Sequence, residues 1–174
     1  GYYKCTVNSA QFTNKDGVFT LQFDGAMAEP TVFVNGQKAG YWAYGYNAFR
    51  LDITPLIKDG DNTIEVELEN KEESSRWYPG AGLYRNVHVF STHKVHIPVW
   101  GTYVTTPRVT KESAHLRLEM KIEGARIDTA YNYHNIDVTT RILNPQGDVV
   151  AHETSVYHAR GQKFAQNFVI ERPE

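Results

Sequence analysis

The sequence predicts an all-β chain made of two successive β-sandwiches. Three observations carry this reading. Apolar residues recur with a period of two and almost never with helical spacing. Turn-forming residues separate these runs at short intervals. The texture of the chain also breaks between Ser91 and Pro98.

The first turn signal is Asn14-Lys15-Asp16-Gly17. Phe19, Leu21 and Phe23 then alternate with Thr20, Gln22 and Asp24, as in a strand with one face in a core and the other in water. Val32-Phe33-Val34 runs into Asn35-Gly36, a dipeptide whose residues accept the positive φ of a two-residue hairpin. In Asp52-Ile53-Thr54-Pro55-Leu56-Ile57, Thr54 is suited to cap one helical turn and Pro55 to its first position. Asp59-Gly60-Asp61-Asn62 reads as a turn, and Ile64, Val66 and Leu68 alternate with Glu65, Glu67 and Glu69 as the next strand. Pro98 cannot donate within a central strand, and Ser91-Thr92-His93-Lys94 is polar. The boundary is therefore set between residues 93 and 94. Beyond it, Leu116, Leu118, Met120 and Ile122 form one alternating set, and Ile136, Val138, Thr140 and Ile142 another. A turn at Asn144-Pro145-Gln146-Gly147 follows, and Phe164, Phe168 and Ile170 share a face of the last strand. Residues 94–174 read as an incomplete immunoglobulin-like sandwich of about five strands where such a domain has seven.

The composition excludes several function classes. With 18 basic and 20 acidic residues the net charge is −2, so nothing favours nucleic acid or an acidic membrane face. No apolar run approaches the ~18 residues of a membrane span. Cys5 is the single cysteine, which rules out an internal disulfide and a thiolate cluster and fits cytoplasm and periplasm alike. The 41% hydrophobic content is enough for packed cores.

Several segments together resemble the N-terminal part of glycoside hydrolase family 2, its β-galactosidases most closely. They are Phe23-Asp24-Gly25, Val32 to Gly36, Gly45-Tyr46, Phe49 to Thr54, Arg76-Trp77-Tyr78-Pro79-Gly80 and Gly82 to Val87, then Trp100 to Val104 with Pro107. The resemblance implies that residues 1–93 form a jelly-roll (galactose-binding-like) domain that lacks earlier strands before Tyr2-Tyr3-Lys4. It also implies a second domain, residues 94–174, that stops before its final strands, and a catalytic barrel further downstream. The barrel is thus the expected partner, with β-galactoside sugars and oligomer contacts as further candidates. No cofactor, metal, nucleic acid or membrane is expected.

A retaining glycosidase needs two carboxyl groups about 5 Å apart. The family supplies them as glutamates of the barrel, the acid/base directly following an asparagine, and this chain contains no Asn-Glu dipeptide. Its carboxylates fall on the solvent faces of strands or in loops such as Glu72-Glu73, so no catalytic residue is assigned. The candidate sugar-site rim is Ser75, Arg76, Trp77 and Tyr78. In the family this loop reaches toward the barrel. Arg76 offers fixed donors for sugar hydroxyls, and Trp77 or Tyr78 offers a stacking face. The alternative is an anchoring role for Trp77 and Tyr84, with Arg76 in an ion pair. Some relatives carry an aspartate just before the tryptophan, and here Ser75-Arg76 stands instead.

Two further groups have competing readings. Tyr41, Trp42, Tyr44 and Tyr46 form either a carbohydrate platform, with Asn47 and Arg50 as polar partners, or a set whose alternate members pack in the core and meet a neighbouring domain. His93 and His96 lie three apart, while His88, His134, His152 and His158 are isolated, which does not make the tight four-ligand spacing of a structural zinc site. Asn132-Tyr133-His134-Asn135 reads as an enlarged polar loop. A free-standing carbohydrate-binding module and a sandwich adhesion or assembly protein are the alternatives to a non-catalytic portion of a hydrolase.

Overall fold

The computed structural model describes residues 1–71, 73, 80–124, 135–158 and 164–173. The chain divides into two compact units, Gly1–His93 and Lys94–Glu174. Both are built from antiparallel strands, and the only helical elements among the described residues are single 3-10 turns.

The N-terminal unit contains β1 (Tyr2–Asn8), β2 (Val18–Phe23), β3 (Thr31–Val34), β4 (Gln37–Tyr41), β5 (Phe49–Asp52), β6 (Asp61–Glu67) and β7 (Val87–Thr92). One sheet has the order β1-β6-β3-β4 and the other β5-β2-β7. Alternation explains why they face each other. Phe19, Leu21 and Phe23 of β2 and Phe49 of β5 meet Val32, Val34, Ile64 and Val66 of the opposite sheet in one buried cluster. Leu21 and Phe23 are wholly buried, each worth roughly 1.5–3 kcal/mol of transfer free energy. The β3–β4 hairpin closes on Asn35 (φ 51°) and Gly36 (φ 77°), the two positive values its two-residue turn demands.

Three expectations change in detail. The 3-10 turn Thr54–Leu56 is present, but Ile53 is its N-cap and Pro55 is not its first residue. Thr54 instead turns its Oγ1 to accept the Phe19 N–H at 2.9 Å, giving that β2 amide a partner. Of the turn expected at residues 59–62, only Gly60 takes positive φ, while Asp61 and Asn62 already belong to β6. Ser91 and Thr92, polar enough to suggest a linker, complete β7 opposite Phe19 and Val18.

Asn62 is 1% exposed inside the sandwich and uses its whole carboxamide. Its Nδ2 donates to the carbonyls of Lys58 (2.8 Å) and Gly60 (2.9 Å). Its Oδ1 accepts from the Lys58 N–H (2.9 Å) and from Asn35 Nδ2 (2.8 Å). Asn35 in turn donates to the Leu56 carbonyl (2.8 Å) and accepts the Thr63 N–H (3.0 Å). Two amides thereby fasten the hairpin turn, the 3-10 turn and the turn into β6 to one another.

The C-terminal unit contains β8 (Thr102–Val109), β9 (Ser113–Met120), β10 (Asn135–Leu143), β11 (Val149–His158) and β12 (Phe164–Glu171). They form a three-stranded sheet, β12-β9-β8, and a two-stranded one, β10-β11. Leu118, Met120 and Phe168 make its core, with Leu116, Val138, Ile142, Ala151 and Phe164 around them. Ile122 lies beyond the end of β9. Pro107 falls where the β8–β9 register shifts between Thr105 and Arg108, so its missing N–H interrupts no regular ladder. Gln166 occupies the gap in the Phe164, Phe168, Ile170 face and is fully buried. It donates to the Val138 carbonyl (3.0 Å) and accepts from Thr140 Oγ1 (2.5 Å), linking β12 to β10 of the other sheet.

Edge strand β1 is held on its outer face by Glu65, which accepts from Tyr2 Oη (2.5 Å) and Lys4 Nζ (2.9 Å). The Tyr2 hydroxyl first, and the Lys4 ammonium second, keep the Glu65 carboxyl below its ordinary range. A depressed folded pKa contributes stability above the unfolded value and loses it as pH falls through the folded one. Acid titration of thermal stability should therefore show a steeper low-pH limb for the parent than for Glu65→Gln, and identical limbs would refute the contact. For the buried amide, Asn62→Ala should cost at least ~3 kcal/mol in urea denaturation, because several buried backbone groups lose their partner. Asn62→Asp, equal in size but without the two donors, should also destabilise. A loss below about 1 kcal/mol in both variants would show that the network is dispensable.

Candidate functional surface

The rim residues Ser75, Arg76, Trp77 and Tyr78 lie outside the described residues, as do Glu72, Ser74 and Pro79. The structure describes the framework that flanks them. Three segments converge on one another: residues 24–30 after β2, residues 42–48 between β4 and β5, and residues 80–86 leading into β7.

Backbone pairing sets the first contact. Met27 and Gly82 exchange hydrogen bonds of 3.0 and 2.8 Å, and the Asp24 N–H donates to the Asn86 carbonyl at 3.0 Å. Gly82 has φ +112°, and a Cβ there would lie 2.8 Å from Tyr3 Oη. Side chains then latch the third segment. Tyr84 Oη donates to the Gly45 carbonyl at 2.9 Å, reaching past Gly25, where an added Cβ would come within 2.6 Å of that oxygen. The Arg85 guanidinium sits 5.2 Å over the Tyr84 ring, a placement typical of cation–π attraction. Tyr84 is thus tied to the 42–48 segment while remaining 42% exposed. Trp77, its expected companion, is outside the described residues.

The aromatic run departs from its packing expectation. Tyr41, Trp42, Tyr44 and Tyr46 are all exposed, so none enters the core. The strand period ends at Tyr41, and residues 42–48 form a loop in which alternation no longer assigns faces. Trp42 alone reaches inward. It stacks on Phe49 (5.5 Å, 10°), which stacks on Phe23 (4.7 Å, 8°), giving a column of rings from surface to core. Tyr44 and Tyr46 meet at 5.6 Å with a 58° tilt. Arg50 lies on β5 on the face opposite Phe49, and its Nε is shielded from solvent with no hydrogen-bond partner among the described residues. Asn47 is exposed in the loop. The surface is thus rich in stacking faces and poor in converging polar groups.

No buried carboxylate occurs among the described residues; the buried polar side chains are Ser9, Asn62 and Gln166. Glu65 is held in the charged form by its donors, the reverse of what a general acid requires. No three His, Cys, Asp or Glu side chains come together for a metal among the described residues. No helix of the described residues is long and apolar enough to cross a membrane. His134 and its loop lie outside the described residues. Sequence reading missed the pairing of Gly25 with Tyr84 and of Met27 with Gly82. Only the glycines hinted at them, and a glycine does not disclose which atom approaches it.

The Gly25–Tyr84 contact is testable by a cycle. Gly25→Ala should destabilise by about 1–3 kcal/mol by pushing the phenol off the Gly45 carbonyl. In Gly25→Ala/Tyr84→Ala the obstruction is gone, so the combined loss should fall short of the sum of the singles. Strict additivity in denaturant titrations would refute the latch.

The chain spans about a fifth of the length of the relatives it matches. It is 34% identical to the β-galactosidase BoGH2A of Bacteroides ovatus over 100% of the chain and 20% of that protein. It is 28% identical to a putative β-glucuronidase of Formosa agariphila over 87% of the chain and 15% of that protein. A crystal structure of a glycosyl hydrolase family 2 member from Bacteroides cellulosilyticus superposes with a TM-score of 0.87 at 26% identity, covering 99% of this chain and 22% of that one. Residues 1–93 match the family model described as glycosyl hydrolases family 2, sugar binding domain. With more than half of its length inside that model and two sandwich units of the matching fold, the chain belongs to glycoside hydrolase family 2.

Proposed function

We propose that this chain is a non-catalytic portion of a retaining family 2 hydrolase that cleaves terminal β-galactosides in carbohydrate catabolism. Residues 1–93 act as a jelly-roll scaffold for the catalytic barrel, and residues 94–174 as a partial immunoglobulin-like spacer. The single observation that carries this is the absence of any buried carboxylate among the described residues, in a chain whose relatives are named as glycosidases. An acid/base with a raised pKa needs a desolvated site, and the acidic side chains described here line solvent faces instead.

The loop 74–79 then shapes the rim of the sugar pocket through Ser75, Arg76, Trp77 and Tyr78. The latched segments 24–30, 42–48 and 80–86 give it a fixed base, which is the support a binding rim needs to hold donors in place. Exposed Tyr44 and Tyr46 suit contact with the barrel, since aromatic side chains are enriched where two protein surfaces meet. A galactoside is favoured over a glucuronide by the 34% identity to a β-galactosidase against 28% to a putative β-glucuronidase.

A second reading draws on the same aromatic exposure: residues 41–46 are themselves a carbohydrate platform, and the chain is a binding module. The two separate in one experiment. The purified chain should not hydrolyse chromogenic β-galactoside or β-glucuronide and should show no lactose binding at residues 41–46. Turnover of either glycoside would overturn the non-catalytic assignment. Saturable lactose binding abolished by Tyr44→Ala/Tyr46→Ala would favour the module.

A further inference from the structure

The C-terminal unit carries one surface that its own packing does not use. Pro98 to Gly101 form a tight turn closed by the Gly101 N–H on the Pro98 carbonyl (2.8 Å). Its third residue is Trp100, at φ +59°. Glycine or asparagine takes that conformation freely, whereas a residue with a large side chain takes it reluctantly. Burial does not compensate, because Trp100 is 92% exposed. A strained residue that packs against nothing in its own unit points to a use of its side chain outside the fold.

What lies beside it gives the chemistry. Trp100 borders an open pocket of about 210 Å³ where β8 begins, β9 ends and β12 begins. Met120, buried, and Phe164, half-buried, form the apolar side of the pocket. Tyr103, 65% exposed and paired across the ladder with Glu119, offers a second ring at the mouth. Glu119 and Lys121 supply an acceptor and a donor there. Each is already neutralised by a neighbour, Glu119 by Arg117 (3.1 Å) and Lys121 by Glu123 (2.5 Å).

We infer that this pocket binds a single pyranose ring of a neutral glycan. The C–H face of a sugar ring stacks on an aromatic plane, and the hydroxyls on its edge take both donors and acceptors, which is the combination assembled here. The size suits one ring, being below the roughly 300–1,000 Å³ of pockets for drug-sized ligands. Neutrality follows from the paired charges: Glu119 and Lys121 each already have a partner of opposite sign, so neither is left over for an ionic ligand. A nucleotide would need a net basic surface, which the chain's charge of −2 does not supply. The inference concerns residues 100–121 and Phe164 only, so it holds or fails independently of the hydrolase reading.

The test is a ¹H–¹⁵N titration of the intact chain with methyl β-D-galactopyranoside and methyl β-D-glucopyranoside. Saturable, millimolar shifts of the Gly101, Tyr103 and Lys121 amides are expected with at least one of them. Trp100→Gly should weaken binding by about 10-fold or more. Its melting temperature should be unchanged or raised, because glycine relieves the turn, so lost binding would not reflect unfolding. Tyr103→Ala supplies a second stacking variant outside the strained turn. The inference is overturned if neither sugar shifts these amides, if the shifts survive Trp100→Gly, or if they fall on residues 41–46 instead. Concentration-dependent broadening at Trp100 without sugar would likewise overturn it, assigning the patch to contact between copies of the chain.

Discussion

Each sandwich is organised by a buried primary amide. A two-layer β fold places its turns at the rims of a water-free interior, where unpaired N–H and C=O groups are costly. An amide offers two donors and two acceptor positions without charge, so it can satisfy several such groups without the desolvation cost of an ion. Asn62 does this for the turns around residues 35, 56 and 60. Gln166 does it across the sheets of the second unit, from β12 to β10. The apolar clusters supply most of the free energy, and the amides fix which turn meets which strand.

The same kind of framework underlies the loop surface of the first unit. In the first unit, the segments around residues 27, 45 and 84 are joined by main-chain pairing at Met27 and Gly82 and by the Tyr84 hydroxyl at Gly45. Both contacts rely on the glycines at 25, 45 and 82, where an added Cβ would collide with a neighbour. Exposed rings then gather on segments joined by these contacts. Such an arrangement leaves the ring faces available for contact.

Much of this architecture was legible from alternation alone. The faces of β2, β6, β9, β10 and β12 follow from every-second-residue patterns, since sheet geometry converts that period directly into inside and outside. The hairpin at Asn35-Gly36 was equally plain, because its backbone demand is local. Asn62 was not: as Asp-Gly-Asp-Asn it looks like a turn, and only the tertiary position of Asn35 and Lys58 makes it a buried strand residue. Thr54 illustrates the same limit, its hydroxyl drawn to Phe19 rather than to the helix beside it. Of the two readings of the aromatic run, packing of alternate members extends a period-two pattern past Tyr41, where the strand ends. Of the candidate surface, the sequence showed which residue types were present but not which loops would be latched together.

One detail of β8 bears on how such a chain keeps to itself. Among the described strands it is the outermost of its sheet, with Tyr103, Val104 and Val109 facing solvent. A long, flat margin of that kind is a template on which a foreign strand can zip and seed fibrils. Pro107 removes an amide donor from it, and the shift between Thr105 and Arg108 bends the row out of line. An invading segment therefore finds only a few consecutive places to pair before the match fails, so the kink acts as a guard against runaway self-templating.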